Sequence, residues 1–276
     1  MADDAGSSAD EATDRGGGAG RAGWSSLAGL IALLKNKRFM YTTLGASFND
    51  VGSYVLMAFQ ATFYERVYHL DPSSYAPVLA VVLPLGGIIG GVGGGWVADG
   101  AASTGRRAWM TVGATALSAP FMLASLQAQD ATSSFAALLV GFCLSEAWRA
   151  PSANMARGCA PPESGASTVS LYLCIRNLVG GLGPLGVALL AQQLDGDLRS
   201  AMLLVPAAYV ASAALFAAAE AEFSGEQRAA AAALVQVAVP SAADTPSGAL
   251  SSVELNGGGG GAAAARVTVC SRAAPR

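Results

Sequence analysis

Glycines recur at every fourth position in the apolar segment between residues 84 and 99, in two parallel sets: Gly86, Gly90 and Gly94, and Gly87, Gly91 and Gly95. A spacing of four places each set on one face of a helix, where the lack of side chains lets another helix come very close. The alternative, a glycine-rich loop over a phosphate, is disfavoured because no strand precedes the glycines and the run is long and apolar. The segment therefore predicts a membrane-embedded helix that packs tightly on a neighbour.

The composition agrees with a chain that mostly avoids water. Hydrophobic residues make up 53% of the 276 positions and charged residues only 13%, whereas a soluble domain usually carries about 25% charged residues. The formal net charge of -3 is mild and indicates no nucleic-acid partner. Neither a CxxC pair nor a nucleotide-binding motif occurs, and His69 is the single histidine. The sequence therefore predicts no metal site and no cofactor.

Six apolar runs approach the ~20 residues that cross a bilayer as a helix. The predicted spans are residues 39–63, 75–98, 108–127, 134–155, 167–193 and 201–219. The flanking segments, residues 1–34 and 226–276, are rich in glycine, serine and alanine and are predicted to be disordered tails. A membrane domain of residues 35–225 remains between them, with the third and sixth spans the least sharply bounded. We therefore expect an all-α, multi-pass membrane protein.

Basic residues are unevenly divided between the two sets of span ends. One set carries Lys35, Lys37, Arg38, Arg106, Arg107, Arg157 and Arg228. The other set carries only Arg66 and Arg199, together with several acids. Because cytoplasmic flanks are enriched in Lys and Arg, both termini are predicted to be cytoplasmic, which requires an even number of spans.

Polar and ionisable residues fall inside three of the predicted spans. An ionisable side chain at the centre of a membrane helix costs roughly 2.5–3.5 kcal/mol on insertion scales and therefore needs a structural or functional reason. We interpret the group as the lining of a water-filled solute or ion path; the alternative is a set of structural ion pairs, in which Glu146 and Arg149 neutralise each other. The path residues are Asn49, Asp50, Glu146, Trp148, Arg149, Arg176 and Asn177.

The glycines before Pro184 predict an interruption of the fifth span. A proline frees a carbonyl and kinks a helix, and residues 180–184 read Gly-Gly-Leu-Gly-Pro. The segment is either a hinge that bends during gating or a static feature of the bundle, and both interpretations stay open at this point.

The segment after the glycine sets resembles the loop motif of the major facilitator superfamily. The motif has a glycine, three residues, an aspartate and then a glycine with two basic residues, matched here by Gly95, Asp99, Gly105, Arg106 and Arg107. Gly100 stands where the motif's first arginine is expected. Further segments, including Glu-Ala-Trp-Arg-Ala-Pro at 146–151 and Asn-Leu-Val-Gly-Gly-Leu-Gly-Pro at 177–184, resemble the last helices of spinster-like members, and the resemblance covers residues 33–223.

That resemblance implies one half of a major-facilitator fold, with six helices instead of the family's twelve. It further implies a transporter or half-transporter that moves a small or amphipathic organic solute by alternating access, with proton coupling through Glu146 or Asp50 as an option. The implied partners are membrane lipid, a solute, and either a second copy of the chain or a missing N-terminal half. In a homodimer, Asp99 would face the start of the fifth span of the second copy.

Two rival functions differ in class. The first is a truncated six-helix protein that does not transport and only associates with other membrane proteins. The second is an intramembrane enzyme, which is disfavoured because His69 lies outside the spans and no Ser/His set or paired aspartates share one depth. We therefore do not expect an enzyme.

Overall fold

The computed structural model of the chain describes residues 27–102, 107–161 and 164–238. Within these ranges every regular element is helical and no strand occurs. The helices are α1 (Leu27–Lys35), α2 (Lys37–Tyr68), α3 (Pro72–Ala102), α4 (Arg107–Gln127), α5 (Ala131–Glu146), α6 (Arg149–Arg157), α7 (Gly165–Gly180), α8 (Leu182–Gln193), α9 (Leu198–Ala201) and α10 (Leu204–Ala238).

Each of the six predicted spans is helical. Five helical segments are long and apolar enough to cross a membrane: Pro72–Gly100, Trp109–Gln127, Ala131–Arg157, Gly165–Gln193 and Leu198–Ala232. The first predicted span lies in α2, whose 32 residues correspond to about 48 Å at ~1.5 Å per residue. Its length suffices, but its polar residues lower its hydropathy, and these residues are buried inside the bundle instead of facing lipid. The predicted all-α membrane fold is confirmed.

Side-chain caps define where three of the helices begin. The Asn36 side chain accepts a hydrogen bond from the Phe39 N–H at 3.1 Å at the start of α2. Asp130 does the same for α5, accepting from the Ser133 N–H at 2.8 Å. Asp197 caps α9. These hydrogen bonds favour the ionised carboxylates and lower the pKa of both aspartates, which lie between membrane segments.

The fourth and fifth predicted spans are each divided in two. The fourth is interrupted at Ala147 and Trp148, between α5 and α6. Pro151 lacks the N–H that would bond the Ala147 carbonyl one turn back, so a continuous helix cannot satisfy this point. The fifth is interrupted at Gly181, whose N–H still bonds the Asn177 carbonyl at 2.9 Å. The predicted interruption before Pro184 is therefore present.

The prediction of disordered tails is wrong for two segments. Residues 27–35 form α1, whose Leu33 is buried against Phe39 and Trp148. At the other end, α10 continues through residues 226–238, because its alanine-rich sequence has the highest helix propensity of any composition. The rest of both predicted tails lies outside the described residues.

The long helix α2 occupies the centre of the bundle. It packs against α10 on one side and against α6, α7 and α8 on others, while α10 also packs on α4. The helix α3 lies outside α2 and packs mainly on α5. This central position explains why α2 carries buried polar residues that a peripheral membrane helix would expose to lipid.

The two glycine sets of α3 have different surroundings. A Cβ at Gly90 would overlap the Cys143 carbonyl group, and a Cβ at Gly94 would lie 2.6 Å from the Ala147 Cβ. No atom lies within 4 Å of a Cβ placed on any member of the second set, Gly87, Gly91 and Gly95. Close packing was predicted for both sets; it is correct for the first and wrong for the second, because α5 covers only one face of α3.

The basic residues of the first set of span ends meet at one end of the bundle. Arg38, at the start of α2, lies 3.8 Å from a Glu226 carboxylate oxygen and 4.0 Å from the Phe223 ring centre, both late in α10. At the opposite end, the Arg199 guanidinium lies 5.6 Å from the Tyr68 ring centre. Arg106 lies outside the described residues. The charge asymmetry of the sequence is thus an asymmetry between the two ends of the folded domain.

Candidate functional site

Four ionisable side chains from four helices form one charge cluster. Asp50 on α2 forms an ion pair with Arg176 on α7 through its Oδ2 and the arginine Nε. Its Oδ1 lies 3.6 Å from Nη1 of Arg149, the first residue of α6. Arg149 binds Glu146, the last residue of α5, through two nitrogens, with Nη2 donating to Oε1 at 2.9 Å. We call these four residues the charge cluster.

Two glycines bring α7 and α8 against α2 at the level of the charge cluster. A Cβ at Gly180 would lie 2.7 Å from the Asp50 Cβ, and a Cβ at Gly183 would lie 2.7 Å from the Val51 carbonyl oxygen. Any larger residue at either position would hold the helices apart. Because Gly180 lies one turn beyond Arg176, this contact places the guanidinium on the Asp50 carboxylate.

Trp148 is a buried platform beneath both arginines. Its ring centre lies 5.4 Å from the Arg149 Cζ and 5.2 Å from the Arg176 Cζ, distances at which a guanidinium is attracted to an indole ring. Tyr172 adds a second ring, 5.7 Å from the Arg176 Cζ, and its hydroxyl lies 2.9 Å from the Ser152 hydroxyl. The interruption after Glu146 places Trp148 between the two guanidinium groups.

The two acids of the cluster lie below its most exposed cation. The side chains of Asp50 and Glu146 are 0% and 8% exposed, whereas that of Arg149 is 37% exposed. Arg176 is intermediate, at 13%. Two carboxylates and two guanidinium groups balance in charge, but an approaching molecule meets guanidinium N–H donors first.

The sequence-predicted path residues fall into three places. Five of them lie together as the charge cluster and Trp148. Asn177 lies at the exposed rim, where its Oδ1 accepts a hydrogen bond from the Tyr54 hydroxyl at 2.8 Å. Asn49 is fully buried on a different face of α2, and its Nδ2 donates to Thr115 Oγ1 at 3.4 Å. The structure therefore does not bring Asn49 to the charge cluster.

The loop motif is described only at its two ends. Gly95 lies on the open glycine face of α3, and Asp99 is exposed near the end of that helix. Arg107 begins α4. Gly105 and Arg106 lie outside the described residues.

Sequence reasoning missed two tyrosines of the site. Tyr54 lies one turn after Asp50 on α2, and Tyr172 lies one turn before Arg176 on α7. Residues four apart share a helix face, so this spacing was a usable signal. Among the described residues, no three His, Cys, Asp or Glu side chains lie close enough together to hold a metal ion.

Helix content, span lengths and packing define an integral, multi-pass, all-α membrane protein with the fold of one six-helix half of a major-facilitator transporter. Its fold is that of a bacterial homologue of the human lysosomal transporter Spinster, in the crystal structure of the inward-facing, unoccupied conformation. The match has a TM-score of 0.50 and 19% sequence identity, and it covers 79% of this chain and 51% of that chain.

A second crystal structure of such a bacterial homologue, in the inward-facing, occupied conformation, matches with a TM-score of 0.48 and 22% identity, over 70% of this chain and 49% of that one. No protein-family model and no curated protein sequence matches the chain. The chain thus spans about half the length of the Spinster homologues that it resembles. The predicted spinster-like, major-facilitator resemblance is confirmed for the fold.

Proposed function

We propose that the chain is a membrane transporter unit that moves an amphipathic organic anion by alternating access, with the charge cluster as the site for the anionic group. The observation that carries this proposal is the exposure of the Arg149 guanidinium above two buried carboxylates. The fold shared with Spinster-type transporters supports the transport part.

The geometry of the cluster favours an anion over a cation. An Arg guanidinium binds a carboxylate or phosphate through two parallel N–H bonds, and Arg149 already makes this interaction with Glu146. A solute anion would compete with Glu146 for the same donors. A Glu146 carboxylate that loses its cation is more readily protonated, so solute binding and proton uptake would be coupled at this residue.

An apolar stripe next to the cluster supports an amphipathic solute. It begins immediately after Asn177 and follows one face of α7 and α8. Its members are between 51% and 71% exposed: Leu178, Leu182, Leu185 and Leu189. A hydrocarbon tail on this stripe would place its anionic end beside Arg149.

We further propose that transport needs a second six-helix unit. The chain spans about half of the matched Spinster homologue, and the glycine face of Gly87, Gly91 and Gly95 has no neighbour within 4 Å. A backbone face of this kind favours close contact with another helix. The same open face supports the second candidate function, a six-helix protein that associates with other membrane proteins without transporting.

Binding of matched single-chain amphiphiles tests the site. An alkyl phosphate, an alkyl glucoside and an alkyl ammonium of equal chain length would be titrated against the purified protein and against Arg149→Gln. We expect the phosphate to bind at least roughly tenfold more tightly than the other two, as for a charge-assisted contact worth about 1.5 kcal/mol, and Arg149→Gln to remove the preference. Arg66→Gln, at the far end of α2, is the matched control. Equal affinity for the three headgroups would contradict an anion site.

A further inference from the structure

A second polar region lies inside the bundle, apart from the charge cluster. On α2, Thr42, Asn49 and Ser53 occupy one face at spacings of seven and four residues. On α4, three more residues share one face in the same way: Thr111, Thr115 and Ser118. All six are between 0% and 2% exposed. Such residues are expensive inside a membrane domain unless each polar atom finds a partner.

The two polar faces meet across the centre of the bundle. Asn49 donates to Thr115 at 3.4 Å, and α10 and α6 each pack against both α2 and α4. From α10, the fully buried Tyr209 places its hydroxyl beside Ser53 and Ser145, with Glu146 and Arg149 as its charged neighbours. A continuous line of polar side chains therefore leads from Thr42 and Thr111 to the charge cluster.

Most of this line lacks hydrogen-bond partners among the described residues. The unpartnered atoms are Thr42 Oγ1, Thr111 Oγ1, Asn49 Oδ1, Ser53 Oγ and Tyr209 Oη. Each buried, unsatisfied group costs about 1–3 kcal/mol, and bound water is the usual remedy where several such groups share one polar space. Serines and a tyrosine elsewhere in the bundle do pair, since Tyr64 lies 3.0 Å from Ser134, which donates to the Ser125 carbonyl at 2.8 Å.

We propose that a file of bound water molecules follows this line and that it delivers protons to Glu146 from the basic end of the domain. Thr42 and Thr111 lie within five residues of the helix starts at that end, or about 8 Å at ~1.5 Å per residue. Beyond Ser53, the next residue on the same face is Leu56, which belongs to a buried apolar cluster with Val205. That cluster closes the line toward the opposite end, so the file is a dead-end branch and not a leak.

The proton step conserves atoms and charge. Tyr209 Oη accepts a proton from the neighbouring water and releases its own hydroxyl proton toward a Glu146 carboxylate oxygen, so no other bond changes. The charged and titratable groups around Glu146 are Asp50 on α2, Arg149 on α6, Arg176 on α7 and Tyr209 on α10, while α3 presents Gly90. The use of the file in coupling depends on the proposed transport function, whereas its existence does not.

Radiolytic hydroxyl-radical labelling tests the file without any solute. Tyr209 and Tyr64 are both 0% exposed, so bulk radicals reach neither, and only a tyrosine beside bound water should be modified. We expect Tyr209 in the full chain to be labelled several-fold faster than Tyr64, and Ser53→Ala or Thr115→Val to slow it, with unchanged unfolding temperature as the folding check. Equal, slow labelling of both tyrosines would overturn the file.

Paired Tyr→Phe variants test the proton role. In proteoliposomes with an internal pH indicator, Tyr209→Phe should lower proton-driven uptake of an alkyl phosphate by at least roughly tenfold, while solute exchange at equal pH continues. Tyr64→Phe, the matched control, should leave both rates unchanged. Normal proton-driven uptake in Tyr209→Phe would overturn the proton role. Labelled Tyr209 with no flux from the wild type would uphold the file and reject the transport function.

Discussion

Arg176 and Asp50 form an ion pair between α7 and α2, with the carboxylate fully buried and the guanidinium 13% exposed. The pair exists because Gly180 lets the backbone of α7 lie against α2 one turn later. A buried ion pair offsets its desolvation only while both partners are present. The pair therefore fixes how α7 and α8 sit on the central helix.

Removing one partner of this pair should destabilise the protein more than removing both. Asp50→Asn leaves Arg176 buried without its counter-ion, and we expect a loss of about 3 kcal/mol in the free energy of unfolding. The double variant Asp50→Asn with Arg176→Gln should recover most of that loss, because no unpaired charge remains. Thermal unfolding in detergent measures both. Equal losses in the single and double variants would show that the two side chains do not interact.

The two glycine sets of α3 provide a matched pair of substitutions. Gly90→Leu forces a side chain into the Cys143 carbonyl, whereas Gly91→Leu places it where no atom lies within 4 Å. Overpacking of 1–3 kcal/mol or more should lower the unfolding temperature of Gly90→Leu by about 5 °C. Gly91→Leu should unfold like the wild type when the chain is studied alone. An equal decrease for both would mean that α5 does not pack on α3 as described.

The cap of α5 predicts a pH effect of definite sign. Hydrogen bonds from the Ser133 N–H and hydroxyl lower the pKa of Asp130 in the folded protein. A lowered folded pKa means that the carboxylate stabilises the fold above its unfolded pKa of about 4, and that this contribution is lost as the pH falls below it. Asp130→Asn keeps a capping oxygen but removes the charge. The variant should therefore lose less stability than the wild type between about pH 7 and about pH 3, and an identical loss would exclude this role.

The basic end of the bundle should face the cytoplasm. Lys37 and Ser73 are both exposed and lie at opposite ends of α2 and its following turn, so Lys37→Cys and Ser73→Cys report the two ends in a background without the native cysteines. Because cytoplasmic flanks attract Lys and Arg, an impermeant thiol reagent should reach only position 73 in right-side-out vesicles. Labelling of both positions from one side would contradict the six-span topology.

Spacing and hydropathy were sufficient to predict the helices, but not their neighbours. Gly90 and Gly91 are equivalent in the sequence, yet only Gly90 faces α5, because adjacent residues point about 100° apart around a helix. Asn49 and Asp50 differ in the same way, since one faces α4 and the other the charge cluster. Which face meets which helix depends on tertiary packing, and no local pattern contains that information.

The interruption at Gly181 shows the same limit from another direction. Its position was predictable from the glycines and Pro184, but both a hinge and a static feature fitted the sequence. The structure adds a reason independent of bending, because Gly180 and Gly183 allow contact with Asp50 and Val51. The helical residues 27–35 and 226–238 were missed because small-residue composition resembles that of disordered tails.

Uptake of a fluorescent alkyl phosphate into proteoliposomes is the most direct test of transport through the charge cluster. The wild type should exceed protein-free vesicles, and Arg149→Gln should reduce uptake to the protein-free rate while Arg66→Gln does not. Glu146→Gln should retain uptake but lose its dependence on the proton gradient, because the competing carboxylate is gone. Wild-type uptake equal to that of protein-free vesicles, or unchanged uptake in Arg149→Gln, would contradict transport at this site.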